Sequence, residues 1–223
     1  MTSIPEPSCI AELISRYNAI AGEKIADLAK QYGIAIPLSL HRTKGWVGQL
    51  IELILGANAG NKSIPDFPNL GIELKTIPLN QSLQPSESTY ICTAQLHATA
   101  ITWKQSSVYN KLRHVLWVPI EGTSIKPLAE RWIGTPFLWQ PNKEQLTILQ
   151  QDWEELMELL QLGSITNLSA KYGKYLQIRP KAANSNVLID AINDDGMIIK
   201  TVPKGFYLRS AFTKEILQQQ FFY

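Results

Sequence analysis

The segment Trp46–Leu55, WVGQLIELIL, is almost wholly apolar, and Glu52 is its only charge. A helix apolar on every side is buried nearly all round, so this stretch demands a core on all its faces. Thr43 is a plausible N-cap and Gly56 a plausible terminator. An unpaired buried carboxylate is costly, so Glu52 needs a partner, a proton or a metal. Positions 44, 48 and 52 share one helix face, which reads Lys44, Gly48, Glu52. A cation, a bare backbone and a carboxylate in a row suit the approach of a phosphate chain. A buried Glu52 paired with a single Lys or Arg satisfies the same pattern.

Around this helix the periodicity places two amphipathic helices, AELISRYNAIAG and EKIADLAKQYG, each closing near a Gly. The second has the look of the first helix of a helix-turn-helix. IAIPLSL then follows where a recognition helix should begin, and Pro37 argues against one. Strand-like runs occupy 71–78, 90–96, 114–120 and 136–139. NKEQLTILQQDWEELMELLQLG reads as a long helix capped by Asn142 and stopped by Gly163. YLQIRP is a further strand, GMIIKTVPKGFYLR a hairpin about PKG, and AFTKEILQQQF a last helix. Strands in the middle with helices at both ends give a mixed α/β or α+β fold, and 223 residues suit one sizeable domain or two lobes.

Two cysteines, Cys9 and Cys92, make no disulfide framework, which points to a reducing compartment. MTSIPEPSCIAELI lacks the basic and apolar regions of a secretory leader, and no apolar run nears the ~20 residues that span a bilayer. A cytoplasmic protein with no membrane association is the expectation. The net charge of +2 conceals an asymmetry: from Ser164 onward, eight Lys or Arg against four Asp or Glu give +4, leaving −2 for the rest. A basic C-terminal third suits a polyanionic partner.

Chemistry concentrates around GIELKTIP. A strand alternates its side chains, so Glu73 and Lys75 share one face while Ile72 and Leu74 share the other. Asp66, in the irregular SIPDFPNLG, stands seven residues before Glu73 on the loop leading into that strand. It can be a turn residue bonded to its own backbone, and Glu73 with Lys75 can be a surface ion pair. Taken together, Asp66, Glu73 and Lys75, with Glu52 supplied by the preceding helix, form a set of oxygen ligands that suits Mg²⁺. A lysine beside such a metal can position the attacking water or help deprotonate it. His41, His97 and His114 are scattered without zinc spacing, and there is no GxSxG, Walker or dinucleotide motif. A carboxylate-pair glycosidase would leave Lys75 and the basic third without a role.

KGWVGQLIELILGANAG, DFPNLGIELKTIP, HVLWVPIEG, WEELM, YLQIRPKAAN and GFYLR together resemble the MutH family, the strand-nicking endonucleases of methyl-directed mismatch repair. The resemblance runs from about Tyr17 to the last helix, and the first sixteen residues match nothing specific. It implies a restriction-endonuclease-like mixed sheet flanked by helices, in one domain of two lobes that clasp DNA. The N-terminal lobe would carry the catalytic site and the C-terminal lobe the DNA-reading elements. It implies Mg²⁺-dependent nicking of the unmethylated strand at hemimethylated GATC, 5′ of the G, by a monomer activated by MutL after MutS finds a mismatch.

The resemblance also assigns residues. Glu52, Asp66, Glu73 and Lys75 match the family's active site, with Asp66 and Glu73 as the direct metal ligands and Glu52 beside them. Lys111 matches a lysine near the scissile phosphate, and Lys44 and Gly45 match a groove-contacting helix start. Arg179, Pro180 and Lys181 match a DNA-reading segment, and Tyr207 the residue beside the adenine N6. Read without the resemblance, Lys111 is a solvated helix lysine, Arg179 a phosphate contact and Tyr207 a packed strand residue. LNQSLQPSEST and LHATAITW depart from the family pattern. Two other functions share the motifs: a restriction enzyme cutting both strands of GATC, and a DNA-binding module without catalysis.

Overall fold

The pleat at residues 72–75 sets how the candidate carboxylates sit against the core. Ile72 and Leu74 point into a cluster with Leu50, Ile51, Ile54, Phe67, Leu116 and Val118, each contributing about 2 kcal/mol by burial. The computed structural model describes residues 4–37, 45–60, 63–95, 101–122, 126–164, 171–181 and 188–221. Six helices are described: α1 (Ile10–Ile20), α2 (Ile25–Gln31), α3 (Trp46–Leu55), α4 (Ser107–Leu112), α5 (Lys143–Gln161) and α6 (Ser210–Phe221). The strands are β1 (Glu73–Leu79), β2 (Thr89–Thr93), β3 (Val115–Glu121), β4 (Phe137–Trp139), β5 (Leu176–Pro180), β6 (Ile189–Ile192), β7 (Ile198–Thr201) and β8 (Lys204–Leu208). The fold is mixed α/β, and its contacts divide into two compact units: Met1–Ser86 with Arg113–Gln140, and Glu87–Leu112 with Pro141–Tyr223.

In the first unit β1 runs parallel to β3, and β3 pairs antiparallel with β4. Six consecutive residues of β3, VLWVPI, are buried, the pattern of a strand covered on both faces. Helix α3 departs from the sequence expectation. Leu50, Ile51, Ile54 and Leu55 are buried, but Leu53 is 41% exposed and Glu52 only half-buried. The helix is therefore amphipathic with an unusually apolar outer side, and Glu52 does not bear the full cost of an enclosed charge. It begins at Trp46, after a left-handed Gly45 (φ 85°). Thr43, Lys44, His41 and His97 lie outside the described residues.

In the second unit β8 lies between β2 and β5, antiparallel to both. The expected hairpin about PKG is not formed. Strand β7 pairs instead with β6 across Asn193–Gly196, where Asn193 Oδ1 accepts from Met197 N–H at 2.7 Å and Gly196 takes φ 77°. The chain then passes through Pro203 into the other sheet as β8. The turn chemistry of NDDG outweighs that of PKG, and the strand at 189–192 was missed because its alternation is weak.

Helix α5 starts on a capping box, Asn142 Oδ1 accepting from Gln145 N–H and Gln145 Oε1 from Asn142 N–H. Its buried stripe, Leu149, Trp153, Leu156, Met157 and Leu160, is committed to packing. Within that stripe the Asp152 carboxylate accepts the backbone N–H of Lys174, Tyr175 and Leu176 at 2.6–2.8 Å. This bond set fixes the start of β5, the strand that presents Arg179.

Candidate active site

Asp66 is delivered by a tight reversal. Phe67 and Ile72 exchange backbone hydrogen bonds at 2.9 and 3.2 Å, and Leu70 N–H donates to Phe67 O at 3.1 Å. Asp66 Oδ2 then accepts from Leu74 N–H at 2.8 Å. Glu73 opens β1, its own N–H donating to His114 O at 3.0 Å. Glu73 is 1% exposed and Asp66 7%, so the start of the strand holds two shielded carboxyl groups, both acting on Lys75.

On the same face, Lys75 Nζ donates to Glu73 Oε1 and, at 3.2 Å, to Leu74 O. Burial pushes the Lys75 pKa down, but the charges of Glu73, Asp66 and Glu52 outweigh it and the net shift is upward. Lys75 is therefore an ammonium at neutral pH. The ion pair expected as the bland reading is real, but it is not a surface pair: Lys75 has 16% of its side chain exposed and Glu73 1%. Buried pairs add little net stability because desolvation offsets the attraction. A buried cation held on Glu73, within the field of Asp66 and Glu52, is better explained as chemistry than as cohesion.

Glu52 reaches this group through its field on Lys75, and it lies beside Gly48, where an added Cβ would stand 3.9 Å from Glu52 Oε1. Among the described residues, no three His, Cys, Asp or Glu side chains converge to hold a metal. Asp66 and Glu73 remain as a pair of hard oxygen donors, which fits an ion that keeps several waters and completes its shell with substrate phosphate.

Lys111 belongs to the second unit. It is 9% exposed on α4, which overturns the reading of a solvated lysine. The same unit carries Arg179, Lys181 and Tyr207 on one face of its sheet, with Pro180 between the two cations in the chain. Gln177 and Tyr207 are cross-strand partners, as are Arg179 with Gly205 and Tyr90 with Tyr207. The Arg179 guanidinium lies 6.0 Å over the Tyr207 ring, and the rings of Tyr90 and Tyr207 meet edge-on at 5.3 Å. Lys181 Nζ donates to Thr93 Oγ1 at 2.8 Å and stands 4.9 Å over the Tyr90 ring. Gln177 Nε2 donates to Ser88 Oγ at 2.9 Å. Burial, then the neighbouring Tyr90, pushes the Tyr207 pKa up, so its hydroxyl stays neutral and able to donate.

Tyr90, Thr93 and Gln177 were not singled out in the sequence. A bulge between Tyr90 and Cys92 puts Tyr90 and Thr93 on one face, against simple alternation. The two rings close over Gly205, where a Cβ would lie 2.9 Å from Tyr90 Cε2, 3.2 Å from Cys92 O and 3.2 Å from Tyr207 Cε2. Gly205→Ala is expected to part this ring pair at a cost of about 1 kcal/mol while keeping the fold. Near-ultraviolet circular dichroism would register the lost tyrosine coupling with far-ultraviolet signal unchanged.

Comparison with known proteins bears on what such a site does. A family model described as DNA mismatch repair enzyme MutH matches residues 55–152. The DNA mismatch repair protein MutH of Shewanella baltica (strain OS185) is 50% identical over 222 residues, covering 99% of this chain and 100% of the relative. That of Vibrio vulnificus (strain YJ016) is 52% identical over 218 residues, 97% of this chain and 96% of the relative. The similarity extends through the N-terminal segment, which the sequence reading had left unmatched.

Proposed function

Because the chain belongs to the MutH family of DNA mismatch repair enzymes, we propose that it is a Mg²⁺-dependent endonuclease nicking the unmethylated strand of hemimethylated GATC, 5′ of the G, when activated by MutL after MutS finds a mismatch. The observation that carries this reading is the Lys75 ammonium held on Glu73 beside Asp66, within the field of Glu52. A module that only binds DNA gains nothing from shielded carboxylates, which repel phosphate.

Asp66 and Glu73 would hold the metal. Bound there, Mg²⁺ supplies Lewis-acid polarisation of the phosphodiester and charge stabilisation as the bond breaks. Lys75, charged at neutral pH, donates to the attacking water and orients it, and it does not act as the base while Glu73 holds its proton in place. Glu52 strengthens the local negative field that keeps this ammonium charged. Lys111, by the family resemblance, would meet the scissile phosphate. In the second unit Arg179 and Lys181 supply cations for guanine edges or phosphate, with Pro180 between them. Lys44 and Gly45 contribute a further groove contact. The neutral Tyr207 hydroxyl sits beside the adenine N6, where an added methyl group removes a hydrogen bond. One site per monomer matches one cut per encounter.

The test uses GATC duplexes unmethylated, methylated on either strand, and methylated on both, with and without MutL. Nicking confined to unmethylated strands and raised by MutL is the expected result. Equal nicking of methylated strands would remove the role of Tyr207, and full activity indifferent to MutL would point to a restriction enzyme.

A further inference from the structure

Residues 4–8 precede every element the reaction uses, yet they grip the part of the first unit that carries Asp66. The Glu6 carboxylate accepts three hydrogen bonds at 2.8 Å: Oε2 from Asn58 Nδ2 and from Asn69 Nδ2, and Oε1 from Asn69 N–H. Asn58 and Asn69 flank Asp66 on either side in the chain. Asn58 N–H also donates to Asp66 O at 3.0 Å, so Glu6, Asn58 and Asp66 are linked in series.

The segment is itself fixed. Arg16 Nη1 donates to Pro5 O at 2.7 Å and to Leu55 O at 2.9 Å, and Pro7 is buried. Pro5 O passes so close to the end of α3 that a Cβ on Gly56 would lie 2.3 Å from it. A strap thus runs from the helix that bears Glu52 to both ends of the loop that bears Asp66.

Resting on the function proposed above, we propose that Glu6 is a positioning residue that holds the Asp66 loop in place for the metal. An anionic acceptor is suited to this task because all three of its partners are neutral donors, and bonds to a charged acceptor are the stronger kind. The Asp66 carboxylate is then constrained from both directions, by Leu74 N–H at its side chain and by the Glu6 clamp at its backbone. Residues that orient a ligand from behind typically change metal affinity by about 10- to 100-fold when altered.

The experiment measures Mn²⁺ affinity by calorimetry, alongside half-saturating Mg²⁺ for nicking, in wild type and Glu6→Gln. The amide keeps a single acceptor oxygen and turns a donor toward at least one asparagine donor, so all three bonds cannot form together. Mn²⁺ affinity is expected to fall about tenfold, half-saturating Mg²⁺ to rise in the same ratio, and DNA affinity in EDTA to stay unchanged. Asn58→Ala removes one of the three bonds and is expected to give an intermediate loss, should Glu6→Gln fold poorly. Unchanged Mn²⁺ affinity in folded variants overturns the proposal, even if melting temperature falls. Mn²⁺ binding weakened by Glu6→Gln with no nicking by wild type overturns the GATC reading and leaves the clamp standing. A wild type that binds no Mn²⁺ overturns both.

Discussion

Lys75→Met lowers Mg²⁺-dependent incision by about a thousandfold, on the scale expected for a positioned proton-transfer or charge-stabilising group. Methionine keeps most of the apolar stem and deletes the ammonium, so DNA affinity, which on the proposed reading comes from other residues, is expected to stay near wild type. Single-turnover kinetics with binding measured in Ca²⁺ or EDTA separates the two quantities. The variant also leaves Glu73 enclosed without its cation, which destabilises the first unit. The pH dependence of that penalty has a defined sign. Lys75 has its pKa raised above the usual 10.5, so its stabilising contribution is complete below that value and is lost as pH rises through the higher folded-state value. The stability gap between wild type and Lys75→Met is therefore flat across neutral pH and closes only in strong alkali. A gap that closed between pH 6 and 9 would mean that Lys75 is not held charged.

Asp66→Asn is expected to abolish incision to a similar degree, by at least about a hundredfold, with little change in stability. The amide oxygen can still accept from Leu74 N–H, the bond that Asp66 Oδ2 makes at 2.8 Å, so the loop keeps its anchor and loses only its charge. Asp66→Ala loses both and leaves a buried donor unsatisfied, at about 1–3 kcal/mol. Thermal melts of the two variants beside their Mn²⁺ affinities distinguish the ligand from the turn residue. Equal inactivity with stability lost only in Asp66→Ala fits a metal ligand. Activity retained in Asp66→Asn would return Asp66 to a turn role.

Strand β1 was legible because alternation is a strong signal: Ile72 and Leu74 face the core and Glu73 and Lys75 the other way. Asp66 was legible only by its distance along the chain, since nothing in SIPDFPNLG announces the Phe67–Ile72 reversal that returns it to the strand. The hydrophobicity of α3 misled, because Leu53 is an exposed leucine that a burial rule cannot distinguish from a core one. Tyr90 and Thr93 were hidden by the bulge, since one extra residue reverses the faces beyond it. PKG read as a turn because proline and glycine usually mark one, yet there the chain changes sheets. Glu6 could not be read at all: its partners lie 52 and 63 residues away, and a lone glutamate between two prolines carries no periodicity. Local pattern gave the elements, and long-range hydrogen bonding gave the site its rigidity.

The most direct measurement of the central claim uses supercoiled plasmid carrying a single unmethylated GATC, incubated with the protein, MutL and Mg²⁺, and resolved on a gel. Accumulation of open circles, with linear DNA appearing slowly if at all and no product in EDTA or with Lys75→Met, is the expected result. Linear DNA formed at the rate of open circles, or open circles formed equally by Lys75→Met, would contradict a single lysine- and carboxylate-based nicking centre.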